Sequence, residues 1–390
     1  MRWELLRAMP AGAVETVSTT FAVLLADRVF GVGDWGKATL VAVAPLGLLL
    51  SLFLVQFVRR SALAVNKVLA AAFTVSGAGY ALAATAGDSF AVYLSGMIPG
   101  VLGFTVSVPL FAQIYRHHFP DKTRGTLFSI TAFVRKLAAV GFGLLFGLML
   151  AVSLSNAPWV LLSYAAASFV MATMVFRIDD VTLSPARVVK IFDAFRHVKE
   201  NAEFRRLLIS WMILGLGNLL CFSLFVEYIT NERYGWALPE DEVSLITTVI
   251  PELCFVVTVL IWGRIFDRFP IYRLRALINL FFIAAIAVYY LPGEKWGLYV
   301  GIGLHGVARA GGNVIWSLWV TRFARAEHVA EYMSVHTFLT GCRGVLAPFI
   351  AFRTASTLGP NVVAWTGIVM VAVATLMLGR RIWAPNPAIS

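Results

Sequence analysis

Charge and cysteine are scarce in this 390-residue chain. Only 14% of residues are charged, against about 25% in a typical soluble domain, and 59% are hydrophobic. An apolar excess of that size cannot be buried in a water-soluble globule and would lie on its surface as large patches. Disorder is excluded too, because it needs low hydrophobicity. The three cysteines, Cys221, Cys254 and Cys342, are unclustered and set in apolar runs, so neither a disulfide framework nor a zinc site is expected. The phosphate loop G-x-x-x-x-G-K-S/T, the esterase elbow G-x-S-x-G and the zinc motif H-E-x-x-H are missing. His117 and His118 beside Asp121 read as a solvated loop rather than a metal site. The expectation is a non-enzymatic integral membrane protein without metal or cofactor.

What is present is a series of long apolar runs. A helix needs about 20 residues to cross the hydrocarbon core. Twelve stretches qualify, near 10–31, 36–58, 64–86, 89–114, 125–150, 156–177, 206–229, 243–263, 273–292, 296–321, 330–352 and 360–380. They are too long and too uniformly apolar for outer-membrane strands. Arg2 and Arg7 precede the first run as in a signal peptide, but no convincing A-x-A site follows, so it reads as a retained span.

The net charge of +11 is mainly a topology signal. With the N-terminus in the cytoplasm, twelve spans return the C-terminus there. The outer side then receives Arg28, Lys37, Arg233, Lys295 and Arg353. Arg135, Lys136, Arg309 and Arg343 fall within spans, and the rest, Arg273 and Arg275 among them, lie inside. This implies the cytoplasmic (inner) membrane with both termini cytoplasmic, and no nucleic-acid partner. The longest connection, about 178–205, carries Asp179, Asp180 and a Ser184-Pro185 helix start. Val188, Ile191, Phe192, Phe195 and Val198 follow at helical spacing, with Arg187, Lys190, Arg196 and Lys199 on other faces. It reads as a basic amphipathic linker on the inner surface. The expected organisation is a six-helix bundle over 1–178, the linker over 179–205 and a second bundle over 206–390. Ser129–Val134 and Ser334–Leu339 match in pattern at an offset of 205, each opening the fifth span of its half. This supports a parallel two-fold repeat.

Between the eighth and ninth runs stands Trp262-Gly263-Arg264-Ile265-Phe266-Asp267-Arg268-Phe269-Pro270, followed by Arg273. This is similar to the G-x-x-x-D-R signature of the major facilitator superfamily, which the chain resembles over nearly its whole length. The resemblance implies an all-α fold of twelve transmembrane helices in two pseudo-symmetric six-helix bundles. It also implies a conformational switch at Gly263, Asp267, Arg268 and Arg273. Two departures stand out. The family's next glycine is Pro270 here, and the loop after the second run, Gln56-Phe57-Val58-Arg59-Arg60, has neither glycine nor aspartate.

Ionisable groups at mid-span cost about 2.5–3.5 kcal/mol on insertion scales and mark function. His305, Arg309 and Asn313 recur every four residues on one face of the tenth span, which lines the central cavity in the resembled family. His336, Thr340 and Arg343 share a face of the eleventh. Arg135 and Lys136 in the fifth diverge by about 100°, so one is expected to face a cavity and the other a partner helix. Glu252, after Pro251 in the eighth, is expected to pair with Arg135 or Lys136. Glu15 in the first either carries a proton or pairs with Arg343 or His336. Asp27, Arg28 and Glu227 lie near outer ends, where solvation is expected.

The leading functional expectation is a monomeric secondary active transporter for a small polar or anionic organic solute, working by alternating access with proton coupling. Solute contacts are expected from Arg309, His305, Asn313, Arg343, His336, Arg135, Lys136, Asn218 and Gln113, and proton exchange at Glu15 and Glu252. The alternatives are an exporter of amphipathic compounds or lipids, and a non-transporting membrane sensor of the same fold.

Overall fold

Apolar runs of this length can satisfy their own backbone in lipid by coiling into helices. The computed structural model describes residues 2–61, 63–108, 110, 111, 114, 124–182, 195–319 and 329–383, and places a helix at each of the twelve stretches. The first is α1 (Arg2–Thr16) and α2 (Ala22–Arg28), joined by a π-helical turn at Val17–Phe21. The next five are α3 (Asp34–Ser61), α4 (Val65–Ala84), α5 (Phe90–Thr105), α6 (Arg124–Val152) and α7 (Ala157–Phe176). A short α8 (Arg196–Glu200) precedes the seventh, made of α9 (Ala202–Phe222) and α10 (Phe225–Thr230). The eighth is α11 (Glu240–Ser244), a second π-helical turn at Leu245–Val249, and α12 (Ile250–Arg268). Then come α13 (Ile271–Tyr290), α14 (Lys295–Leu318), α15 (Val329–Leu358) and α16 (Pro360–Leu376). Residues 183–194 of the amphipathic linker, and Gln113, His117, His118 and Asp121, lie outside the described residues.

Helix starts follow local chemistry. The Ser89 hydroxyl accepts the Val92 N–H at 3.4 Å, and the Asn201 amide oxygen accepts those of Glu203 and Phe204 at 3.1 and 3.0 Å. Gly359, at φ +90°, takes a backbone conformation that other residues rarely adopt and turns the chain into Pro360.

The helices cluster as two compact units. One holds Met1–Val188 together with Val226–Val249. Here α4 packs on α5 and α7, and α1 on α6 and α7. Tyr80, Tyr164, Phe146 and Phe21 chain their rings through this core at 5.6, 5.1 and 5.9 Å. A Cβ on Gly79 would stand 2.5 Å from the Gly100 nitrogen, and one on Gly96 2.5 Å from the Gly79 oxygen. The backbones of α4 and α5 therefore touch. Gly79→Leu is expected to force them apart at a cost of about 1–3 kcal/mol, read as a lower thermal-unfolding midpoint in detergent.

The other unit holds Val189–Phe225 and Ile250–Ser390. Its core gathers Phe204, Trp211, Trp262, Phe282, Trp319 and Tyr332, with α9 on α16 and α15, and α14 on α12 and α13. Phe195 and Val198, from the end of the linker, pack against this core. Large apolar side chains face outward in stripes. On α12, Val257 is 69% and Leu260 65% exposed, a surface suited to lipid rather than water. The chain is a multi-pass helical membrane protein.

Where the chain leaving α7 meets the start of α4, Val65, Asn66 and Val181 are buried while Lys67 and Asp180 are exposed. The Val65 N–H donates to the Val181 oxygen at 2.7 Å, and Asn66 and Lys67 donate to Asp180 at 3.0 and 2.8 Å. The Lys67 bond first, and that of Asn66 next, hold the Asp180 carboxyl below its ordinary 3.8. Its contribution is thus complete above that value and lost as pH falls through the lower folded value. Exchange of the Val65 amide, corrected for intrinsic pH dependence, is expected to quicken only below 3.8, and Asp180→Asn to abolish that dependence.

Candidate functional site

Three groups of buried charge stand inside the units. The first is set by the close approach of α1 and α6, where a Cβ on Gly12 would meet Ala139 N at 2.8 Å. That approach brings Glu15 against Arg135 and Lys136 of α6. Lys136 Nζ donates to Glu15 Oε1 at 2.7 Å, and Arg135 Nε lies 3.5 Å from Oε2. Arg135 and Lys136 differ in exposure, at 33% and 8% of the side chain, yet both reach the one carboxylate. Glu15 takes these partners rather than Arg343 or His336.

One turn beyond Glu15 the helix widens into the π turn Val17–Phe21, and Thr20 bonds Thr247 at 2.7 Å and also Thr248 in the second π turn. Single π turns are rare and often functional. The sequence carries a signal for them that the periodicity argument missed: consecutive hydroxyl residues, three in Val17-Ser18-Thr19-Thr20-Phe21 and two in Leu245-Ile246-Thr247-Thr248-Val249. The Thr247 hydroxyl bonds back to the Val243 oxygen at 2.8 Å, competing with the regular helix ladder.

The second group overturns the expectation of solvation for Glu227, while Asp27 and Arg28 stay partly exposed. Glu227 is fully buried, and Lys37 of α3 is 2% exposed between Asp27 and Glu227, bonding both. Asn231 and Arg233 donate to the other Glu227 oxygen at 2.9 and 3.0 Å, and Arg233 also to Asp34 at 3.0 Å. Arg28 donates to the Leu238 oxygen at 2.8 Å. These bonds tie Val226–Val249 into the first unit. Burial foremost, opposed by Arg233, pushes the neighbouring Tyr234 phenol up to about 12.

The third group lies in the second unit. A Cβ on Gly306 would stand 2.8 Å from Pro251 Cα, so α14 rests directly on α12. The Glu252 carboxylate, 2% exposed as a residue, accepts from Arg309, whose guanidinium lies 5.5 Å from the Phe255 ring. The expected pairing of Glu252 with Arg135 or Lys136 is therefore corrected: its partner comes from the tenth span. His305 sits among Phe222, Phe225 and Phe282 at 3.9, 5.1 and 6.2 Å. Asn313, two turns on, is exposed, so the stripe runs from buried to open. Asn218 is buried, and its Oδ1 has no hydrogen-bond partner.

Farther along, His336 is fully buried against Trp211, Trp319 and Trp316 at 5.5, 5.2 and 5.7 Å. Arg343 donates to the Trp211 carbonyl oxygen. Arg275, counted above as an interfacial topology charge, is 3% exposed and stacks on the Trp211 ring at 4.1 Å. Arg273 Nε donates to the Ile382 oxygen at 2.8 Å. Gly263, Asp267 and Arg268 lie in the last turns of α12; their side chains, like all of Gln113, fall outside the described part.

No sequence-family model and no curated protein matches the chain. Solved structures do. The nucleoside transporter NupG aligns over 98% of this chain and 98% of its own, at TM-score 0.74 and 12% identity. The xylose transporter XylE from E. coli, in a partially occluded inward-open conformation, aligns over 99% and 98% at TM-score 0.69 and 15% identity. The human organic anion transporter MFSD10 aligns over 96% and 97% at TM-score 0.64 and 16% identity. All three are similar from end to end.

Proposed function

From the major facilitator fold that those likenesses share, we propose that this protein is a secondary active transporter. It moves a small polar or anionic organic solute across the cytoplasmic membrane by alternating access, coupled to protons. The observation that carries this reading is the Glu252–Arg309 pair, a carboxylate side chain 3% exposed held by a guanidinium 28% exposed inside two membrane spans. Charges taken out of water are expensive even when paired, and those held within membrane spans generally mark solute or proton pathways.

In this reading Arg309, His305, Asn313, Asn218, Arg343, His336 and Gln113 contact the solute, with Arg135 and Lys136 contributing from α6. Glu15 and Glu252 exchange the proton, Glu15 beside Lys136 and Arg135 and Glu252 beside Arg309. Gly263, Asp267, Arg268 and Arg273 form the conformational switch. The two six-helix halves, 1–178 and 206–390, work as one monomer with both termini cytoplasmic. The solutes named for the similar structures (nucleoside, xylose, organic anion) are polar or charged, which agrees with the polar groups inside these spans.

Purified protein in proteoliposomes with an internal pH dye tests the proposal across nucleosides, sugars and organic anions. Solute-dependent, saturable proton movement is the expected result. Saturable solute binding with no flux of any solute would replace the transporter by a sensor.

A further inference from the structure

We propose that the second unit holds a binding site for a small oxyanion, a phosphate or carboxylate group, built by Arg275 of α13 and Arg343 of α15 around Trp211 of α9. The proposal rests on Arg343 and His336 as solute contacts and adds Arg275, which the charge distribution along the chain hides among topology residues.

Both cations sit on one tryptophan. Arg275 lies 4.1 Å over the Trp211 ring and donates through Nη2 to Ser210 Oγ at 3.2 Å. Arg343 reaches the Trp211 carbonyl oxygen from the other helix. Gly215 makes that reach available, since a Cβ there would overlap the Arg343 guanidinium. Two other arginines of this unit have carboxylates: Arg309 has Glu252, and Arg381 has Glu203, which also accepts from Tyr272. Among the described residues, neither Arg275 nor Arg343 has one.

What the cluster offers instead is a surplus of donors. Arg275 Nε and Nη1, Arg343 Nε and Trp211 Nε1 are buried N–H groups without an acceptor. The His336 ring, 5.5 Å from Trp211, has neither nitrogen bonded. Two like charges in a water-poor interior repel, and each missing acceptor adds a desolvation penalty. An oxyanion answers both at once. Its lone pairs take the free N–H groups, its charge balances the guanidiniums, and the planar forks suit bidentate recognition. Trp316 and Trp319 wall the site at His336.

The anion can be a free solute or the headgroup of an acidic lipid. Full-length protein in zwitterionic nanodiscs is titrated with inorganic phosphate and acetate, following tryptophan fluorescence and thermal unfolding. A saturable response to phosphate or acetate is expected. Its affinity should fall at least ~10-fold, one buried charged contact or more, in Arg275→Gln and in Arg343→Gln, and stay unchanged in Lys67→Gln. Arg275→Lys keeps the charge and guards against misfolding of the glutamine variant; it should retain a weakened response. Nanodiscs containing phosphatidylglycerol separate the sources. If they stabilise wild type but not Arg275→Gln and abolish the phosphate response, the headgroup is the ligand. No oxyanion or lipid response, or the same response in both arginine variants, overturns the site. Phosphate binding without any solute flux would instead sink the transporter reading and leave the site standing.

Discussion

Lys37→Met is expected to cost the first unit about 3–5 kcal/mol, the range for removing one partner of a buried ion pair. Lys37 donates to Asp27 and Glu227, and side-chain exposure is 3% at Lys37, 13% at Asp27 and zero at Glu227. Glu227 keeps Arg233 and Asn231 after the substitution. Asp27 is left with no paired cation among the described residues and carries the penalty. Neutralising it too, in Lys37→Met/Asp27→Asn, removes the stranded charge and should recover at least half of the loss. Thermal unfolding in detergent, run as a double-mutant cycle, reads both numbers. A single variant as stable as wild type would make the network ornamental. A double variant no better than the single would move the cost from charge to packing.

The same network shows where sequence reasoning stops. Its members lie at the ends of three different apolar runs, and near an end the default is solvation. Nothing in the periodicity of any run says that Glu227 will face Lys37. The pairing is a property of α3 and α10 brought side by side. The helices themselves were legible, because span length and hydropathy are properties of one segment at a time. Even the early start of α1 has a local cause: Arg7 Nε donates to Glu4 at 2.9 Å, which lets two charges stay buried in the first turns. The i, i+4 spacing correctly grouped His305, Arg309 and Asn313 on one face, but not the change from burial at His305 to exposure at Asn313.

Arg275 and Glu252 mark the same boundary from two sides. Arg275 stands five residues into its helix, where an arginine normally belongs to the interface; only the ring of Trp211, 64 positions away, turns it into a buried cation. For Glu252 a sequence signal existed. Pro251 beside it and Gly306 three residues before Arg309 are the small and rigid residues that let two helices touch. Read as a helix contact, that pair of residues sets Glu252 against the tenth span and so against Arg309.

Glu252→Gln is expected to lower proton-driven solute accumulation by about 100-fold or more, the rate equivalent of roughly 3 kcal/mol. The substitution keeps the shape and removes the charge that balances Arg309. Three variants apportion the effect. Glu252→Asp keeps the charge but shortens the reach by one methylene, and should fall between wild type and glutamine. The reversal Glu252→Arg/Arg309→Glu restores opposite charges on the same two helices. It should regain part of what either single reversal loses, if the pair acts as a pair. Counterflow then separates proton chemistry from architecture, because exchange of solute for solute needs no net proton movement. If Glu252 carries the proton, Glu252→Gln retains counterflow while accumulation is lost. If the pair only holds α12 against α14, both fall together and thermal stability falls with them. Undiminished accumulation in Glu252→Gln would remove the carboxylate from the mechanism and leave Glu15, between Arg135 and Lys136, as the group to neutralise next.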